Sequence, residues 1–260
     1  MNIIVCIKQV PDTTEVRLNP ETGTLIRDGV PSIINPDDKA GLEAALRLKD
    51  LHGAKVTVIT MGPGQAEAAL REALAMGADD AYLISDRAFG GADTWATSST
   101  LASAIRKIGS YDLIITGRQA IDGDTAQVGP QIAEHLKIAN ISYAEEITVD
   151  GNAIIVKRQY EDRYHVIKSN MPCLITALTE LNDPRYMSPG GILDAYAKEI
   201  TLLTRADLDV EDGNIGLKGS PTRVFKSFTK EVKGKGEVVN VDAAESAEWL
   251  IEKLKAKHII

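Results

Sequence analysis

The sequence predicts an α/β fold: a parallel sheet with helices on both faces, antiparallel strands added after about residue 140, and a C-terminal arm that ends in a helix. Three observations carry this. Strand-like, loop and helix-like segments alternate from residue 3 to residue 136, and such alternation builds parallel sheets through helical crossovers. The strand-like runs, such as Ile3-Ile4-Val5-Cys6-Ile7, lack polar alternation, as strands covered on both faces require. With 260 residues, 44% hydrophobic side chains and no apolar run near twenty, the chain can bury a large core but offers no membrane span.

The elements follow in order. Ile3 to Val10 reads as a central strand stopped by Pro11, and residues 15–27 as a hairpin excursion around Asn19-Pro20-Glu21-Thr22-Gly23. Asn35 reads as the N-cap of a helix over 36–52, with Pro36 in its first position, Asp37 and Asp38 at its positive end and Gly53 as its stop. Lys55 to Thr60 is the next strand, Met61-Gly62-Pro63-Gly64 a tight loop, and Ala66 to Met76 a helix with Leu70 and Leu74 on one face. A strand over Ala81 to Ile84, a helix over 94–108, a strand over Tyr111 to Thr116 and a helix near 126–136 repeat the theme. The runs Ile141 to Val149, Ala153 to Gln159, Tyr164 to Lys168 and Cys173 to Leu178 then read as strands without intervening helices, expected as antiparallel additions. Asp150-Gly151-Asn152 makes the first pair a hairpin. A polar segment over 180–191 leads to a short helix near 192–198. From Lys218 to Gly236 six basic residues face one acid, which reads as an arm. Asp242 caps a closing amphipathic helix with Trp249, Leu250 and Leu254 on one side. The expected division is a domain over 1–200 and an arm with its helix over 201–260.

Charge and cysteines exclude several classes. The net charge of −8 makes a phosphate backbone a poor partner. Cys6 and Cys173 lie far apart in apolar runs without a CxxC, so neither a disulfide framework nor a thiolate zinc site is expected. His52, His135, His165 and His258 have no ligand spacing, and no metal is expected. The N-terminus has no basic region or cleavage site, which points to the cytoplasm.

The most informative stretch is Gly117-Arg118-Gln119-Ala120-Ile121-Asp122-Gly123-Asp124-Thr125-Ala126-Gln127-Val128, between a buried strand and a helix. Ligands of open α/β sheets collect beyond the carboxyl ends of strands. Gly117 and Gly123 would let backbone amides approach a ligand, and Thr125 could cap a helix whose start attracts phosphate. Asp122 and Asp124 would repel phosphate, so they either hold the loop or take a ribose hydroxyl. An Asx-rich turn with no ligand is the competing reading. Met61-Gly62-Pro63-Gly64-Gln65 and Asn35-Pro36-Asp37-Asp38 also open helices at strand ends, so three loops on one rim could surround an adenosine moiety. No catalytic triad or carboxylate pair stands out, and any chemistry belongs to a cofactor.

Val156-Lys157-Arg158-Gln159-Tyr160-Glu161-Asp162, continued by Ile167, Pro172 and Leu174-Ile175-Thr176, resembles the signature of the electron transfer flavoprotein β subunit. It departs at Arg163 and His165, where an acidic or glycine residue and a Glu or Gln are usual. The stretches Val5-Cys6-Ile7-Lys8-Gln9-Val10-Pro11, Ala73-Leu74-Ala75-Met76-Gly77-Ala78-Asp79, Gln119-Ala120-Ile121-Asp122-Gly123-Asp124 and Asn182-Asp183-Pro184-Arg185-Tyr186 resemble the same family in the same order.

The resemblance implies an adenine-nucleotide-type fold and an obligate heterodimer with an α subunit, on which the arm would dock. It implies a nucleotide site at Cys6, Asn35, Asp38, Met61 and the run from Gly117 to Val128. Conventional members hold AMP there; electron-bifurcating members hold FAD and oxidise NADH. The stretch Gly216-Leu217-Lys218-Gly219-Ser220-Pro221-Thr222-Arg223 resembles the bifurcating type, which would bring Gly219, Ser220, Pro221, Thr222 and Arg223 to the cofactor and give Arg223 a catalytic role at the flavin. Expected partners are an acyl-CoA dehydrogenase and, as low-potential acceptor, ferredoxin or flavodoxin. The segment with Tyr186, Ile192, Leu193 and Tyr196 corresponds to the family's recognition loop, although these residues could equally pack on the protein's own core. A stress-type nucleotide-binding regulator would explain the loops, but not the arm or the motifs.

Overall fold

A computed structural model describes residues 1–12, 31–225, 234 and 236–260. The hairpin expected over 15–27 lies outside them, as do Lys226, Lys230, Lys233 and Lys235 of the basic stretch. Two compact units are present, Met1–Phe225 and Lys226–Ile260.

In the first unit the elements run β1 Asn2–Cys6, β2 Gln9–Pro11, β3 Ser32–Ile34, α1 Pro36–His52, β4 Lys55–Met61, α2 Glu67–Met76, β5 Asp80–Ile84, α3 Thr94–Ile108, β6 Leu113–Gly117 and α4 Val128–Leu136. They continue as β7 Ala139–Asp150, β8 Ala153–Tyr160, β9 Arg163–Asn170, β10 Cys173–Ala177, α5 Pro189–Ala197 and β11 Ile200–Leu203. Nine strands form one sheet in the order β11-β5-β4-β1-β6-β10-β7-β8-β9. All neighbours from β11 to β7 pair in parallel, while β7 with β8 and β8 with β9 pair antiparallel. The α/β expectation holds, with β8 and β9 as its antiparallel additions.

Alternate residues of β1 enter opposite layers, which is why its sequence is apolar throughout. Ile3 and Val5 join a core with Leu42, Leu46 and Leu70 of α1 and α2, whereas Ile4 and Cys6 join a second core with Leu101, Ile105 and Ile132 of α3 and α4. Each such burial stabilises by roughly 1.5–3 kcal/mol. Gly41 sets how closely α1 seats, because a Cβ there would lie 2.9 Å from Ile115 Cγ2 and 3.2 Å from the Ala177 Cβ.

Three expectations are corrected. The first strand ends at Cys6, and Gln9–Pro11 pairs outside the main sheet with Ser32–Ile34. Second, β10 is a central parallel strand between β6 and β7; all five of its residues are buried, so it fills a gap the adjacent chain segments leave open. Third, the first unit runs on to Phe225 and the arm does not begin at 201. β11 completes the free edge of β5 in register Ile200 to Ala81 through Leu203 to Ile84, and Leu203, Leu208 and Ile215 bury into the second core. Their spacing follows no helical or strand period, which concealed them.

In the second unit, Ala243–Ala256 forms α6, and Asp242 caps it as expected by accepting from the amides of Ala244 and Glu245 at 2.9 and 3.0 Å. None of its residues is buried. Among the described residues no helix is long and apolar enough to cross a membrane.

Candidate functional site

The carboxyl ends of the neighbouring strands β4, β1 and β6 form the rim where the three predicted loops meet. At its centre lies Asp38, buried in the first turn of α1. Its Oδ1 accepts from the Gly117 amide and its Oδ2 from the Lys8 amide, both at 2.8 Å. Burial pushes its carboxyl up to about 7 against the pull of hydrogen bonds from Lys8, Asn35 and Gly117. Burial, then Asp38, also raises the Cys6 thiol, leaving it neutral and unreactive beneath the rim. Met61 ends β4, half-buried on the same core as Cys6.

Asn35 departs from its expected role. Its side chain makes no cap bond; Nδ2 donates to the Gln119 carbonyl at 2.8 Å and Oδ1 accepts from the Ile121 amide at 3.0 Å. Asp122 is gripped by Lys8 Nζ at 2.6 and 2.8 Å, a contact that holds the loop. Gly117 is also fixed from within, since a Cβ there would sit 2.2 Å from Asp38 Oδ1. Residues 117–122 are therefore tied down by Asn35, Asp38 and Lys8. Sequence reading missed Lys8, although a lysine at the end of an apolar strand was visible.

The second half of the loop is built differently. Among the described residues a Cβ on Gly123 would meet nothing within 4 Å. Asp124 and Ala126 have left-handed backbones, at φ 51 and 53°, strain that costs about 1–3 kcal/mol per residue. Among the described residues the amides of Thr125, Ala126, Gln127 and Val128 find no hydrogen-bond acceptor. The N-cap of α4 is Gln127, without a side-chain cap bond, so Thr125 does not cap. Open amides at a helix start, alternating with left-handed residues, form a concavity suited to an anion. Thr60 Oγ1, near the end of β4, is buried without a partner among the described residues. These features fit a bound nucleotide.

The stretch 216–222 is packed, contrary to a free basic arm. Asp93 caps α3 through the Ala96 amide at 3.0 Å and also accepts from the Thr222 amide and hydroxyl at 2.9 and 2.7 Å. Ser220 accepts from the Asp93 amide at 2.8 Å and donates to the Gly216 carbonyl at 2.7 Å. A Cβ at Gly216 would lie 2.0 Å from the Ala88 carbonyl oxygen, and one at Gly219 would lie 2.3 Å from the Ile215 amide nitrogen. Their smallness serves the protein's own backbone. Pro221, Thr222 and Arg223 stay exposed. One residue beyond Asp93, Thr94 donates to Gln127 Oε1 at 2.8 Å. The start of α3 thus contacts Ser220 and Thr222 through Asp93 and Gln127 of the polar loop through Thr94.

The docking candidates gather elsewhere. Tyr186, Ile192, Leu193 and Tyr196 are 98, 38, 75 and 74% exposed, so the core alternative fails for them. α5 turns Ala195 inward instead, and a Cβ on Gly191 would lie 2.4 Å from the Ala75 carbonyl oxygen, so α5 rests directly on α2. Arg71 of α2 donates to the Ala195 and Lys198 carbonyls at 2.7 and 2.6 Å. Among the described residues no cluster of three or more His, Cys, Asp or Glu side chains could hold a metal.

Comparison with known proteins agrees with this architecture. The family described as electron transfer flavoprotein domain matches residues 22–208. The chain is 60% identical over 260 residues to the electron transfer flavoprotein subunit beta of Clostridium acetobutylicum, covering the whole of both chains. It is 58% identical over 262 residues to the caffeyl-CoA reductase-Etf complex subunit CarD of Acetobacterium woodii, and 50% over 268 residues to the acryloyl-CoA reductase electron transfer subunit gamma of Anaerotignum propionicum, again covering both chains fully. By its rim, its sheet and these matches, the chain belongs to the electron transfer flavoprotein family, as a β subunit.

Proposed function

We propose that the chain, paired with an α subunit, binds FAD on the open half of the polar loop, takes electrons from NADH there, and passes them singly to two acceptors. One acceptor would be a low-potential ferredoxin or flavodoxin, the other an acyl-CoA dehydrogenase. Electrons balance: a hydride leaves NADH as NAD⁺ forms, and each acceptor gains one of its two electrons. FAD, when bound, supplies the exchange between a two-electron donor and one-electron acceptors.

The observation that carries this reading is the start of α3, where Asp93 holds Ser220 and Thr222 while the adjacent Thr94 holds Gln127 of the loop. The open amides of 125–128 would hold phosphate. Pro221, Thr222 and Arg223 extend the site beyond what an AMP needs, and the Arg223 guanidinium would favour negative charge on the cofactor's ring system. The names of two relatives, which place those proteins with a caffeyl-CoA reductase and an acryloyl-CoA reductase, point the same way. AMP remains the alternative occupant, because the loop amides would take its phosphate equally well. The exposed face of α5, with Tyr186 ahead of it, is the surface offered to the dehydrogenase, and the segment after Phe225 is the arm offered to the α subunit. The cytoplasm is the proposed compartment.

Acid release of nucleotides from the co-purified heterodimer tests the reading. Two FAD per heterodimer would support it; one FAD with one AMP would replace it with a carrier that lacks NADH chemistry.

A further inference from the structure

On the far side of the polar loop, a cleft of about 470 Å³ opens between Arg118 and Gln119 of the loop and the base of the β7–β8 hairpin. None of the hairpin residues that line it was among the predicted site residues. β7 carries two register shifts, one against β10 that spans a left-handed Tyr143 at φ 60° and one against β8 just after it, and such irregularities re-aim side chains beside functional sites. The Tyr143 ring meets the Arg158 guanidinium at 5.5 Å, and Tyr160 meets it at 5.7 Å. His165 stacks on Tyr160 at 4.9 Å. Arg158 Nε is anchored on the Ser142 carbonyl and hydroxyl at 3.1 Å each.

The guanidinium is thereby fixed in orientation, and among the described residues its two terminal nitrogens have no hydrogen-bond acceptor. Arg118 turns its buried Nε to Asp37, 3.5 Å away, in an ion pair without hydrogen-bond geometry, and among the described residues its two terminal nitrogens donate to no acceptor. Two guanidinium forks with free edges in one cleft match the bidentate geometry of a phosphate. The tyrosine rings add surface on which a flat group could stack. The carboxylates of Asp124 and Glu161 also line the cleft, so the guanidiniums must act by geometry rather than by net charge.

We propose that this Arg118–Arg158 cleft is a phosphate-binding subsite for a nucleotide. It stands whether the loop itself holds FAD or AMP. The phosphate could belong to a second, exchangeable nucleotide or to the resident one, and the test separates these sources.

Inorganic pyrophosphate is titrated calorimetrically into the purified heterodimer, as isolated and after nucleotide removal, with FAD and AMP content measured on the same samples. Saturable binding to the protein as isolated assigns the cleft to an exchangeable nucleotide; binding only after removal assigns it to the resident one. In either case Arg158→Gln should weaken it at least tenfold, and Lys157→Gln, on a lysine already paired with Glu145 and Glu146, should leave it unchanged. Arg118→Gln probes the same pair from the loop side if Arg158→Gln does not assemble. Binding that is absent in both preparations, or equal in wild type and the arginine variants, overturns the proposal. One FAD with one AMP in a wild type whose pyrophosphate binding is lost in Arg158→Gln would overturn the FAD reading and leave the cleft standing.

Discussion

Residues 117–122 and 123–128 belong to one loop, yet the protein treats them oppositely. The first half is wired inward: Asp38 holds the Gly117 amide, Asn35 holds Gln119 and Ile121, and Lys8 holds Asp122. In the second half Gly123 and Asp124 still donate to the Ala120 carbonyl, but among the described residues the amides of 125–128 have no acceptor, and two residues are left-handed. Its two glycines divide the same way, since Gly117 is demanded by a buried carboxylate and Gly123 by nothing among the described residues. A rigid frame beside an open cradle is the arrangement a preorganised binding site needs. Identical residue types in one loop therefore carry different obligations, and the difference can be broken experimentally.

The largest effect should come from Gly117→Ala. Its methyl would meet Asp38 Oδ1 at 2.2 Å and the Asp38 amide nitrogen at 2.8 Å, and overpacking of this kind costs about 3 kcal/mol or more. A thermal melt of the chain should shift down by at least several degrees; an unchanged melt would mean that α1 and the loop are not locked together. Asn35→Leu comes next, because it leaves the Gln119 carbonyl and the Ile121 amide without partners, at about 1–3 kcal/mol. Chemical denaturation would measure it, and a neutral result would contradict the wired half.

Asp38 makes the comparison depend on pH. Its folded value of about 7 lies above the ordinary carboxylate value, so the folded state binds more protons than the unfolded state between about pH 4 and pH 7. Stability should fall as pH rises through that window and level off above it. Glu43, Asp79 and Asp93 act in the opposite sense. Burial opposes their ionisation, but bonds from Arg185, from Lys49, and from Ala96 with Thr222 hold them below their usual values. Their contribution is complete above about pH 5 and lost only in acid. Melting temperatures recorded from pH 5 to pH 8 should therefore decline for the wild type and flatten for Asp38→Asn. A decline retained in the variant would assign it to another group.

Most of the sheet was legible because helical periods and apolar runs are local signals. Pro36–His52, Thr94–Ile108 and the β7–β8 hairpin appear where spacing, capping and Asp150-Gly151-Asn152 put them. What stayed hidden depends on distant partners. β10 becomes parallel and central only because β6 and β7 leave room between them. Residues 200–225 join the first unit through β5 and scattered contacts from Leu208 and Ile215. In the site, the rim loops were visible as strand–loop–helix junctions. That Asn35 reaches across 84 residues to Gln119, or that Gly219 serves Ile215 and not a ligand, could not be read from spacing.

The central claim, that the open half of the loop is a cofactor cradle, meets its most direct test in Gly123→Val. The substituent enters space the described residues leave free, so the heterodimer should assemble with an unchanged melting temperature when both forms are compared without nucleotide. Acid-released nucleotide should then fall from two per heterodimer toward one. A Gly123→Val heterodimer that retains both nucleotides in full would contradict the account.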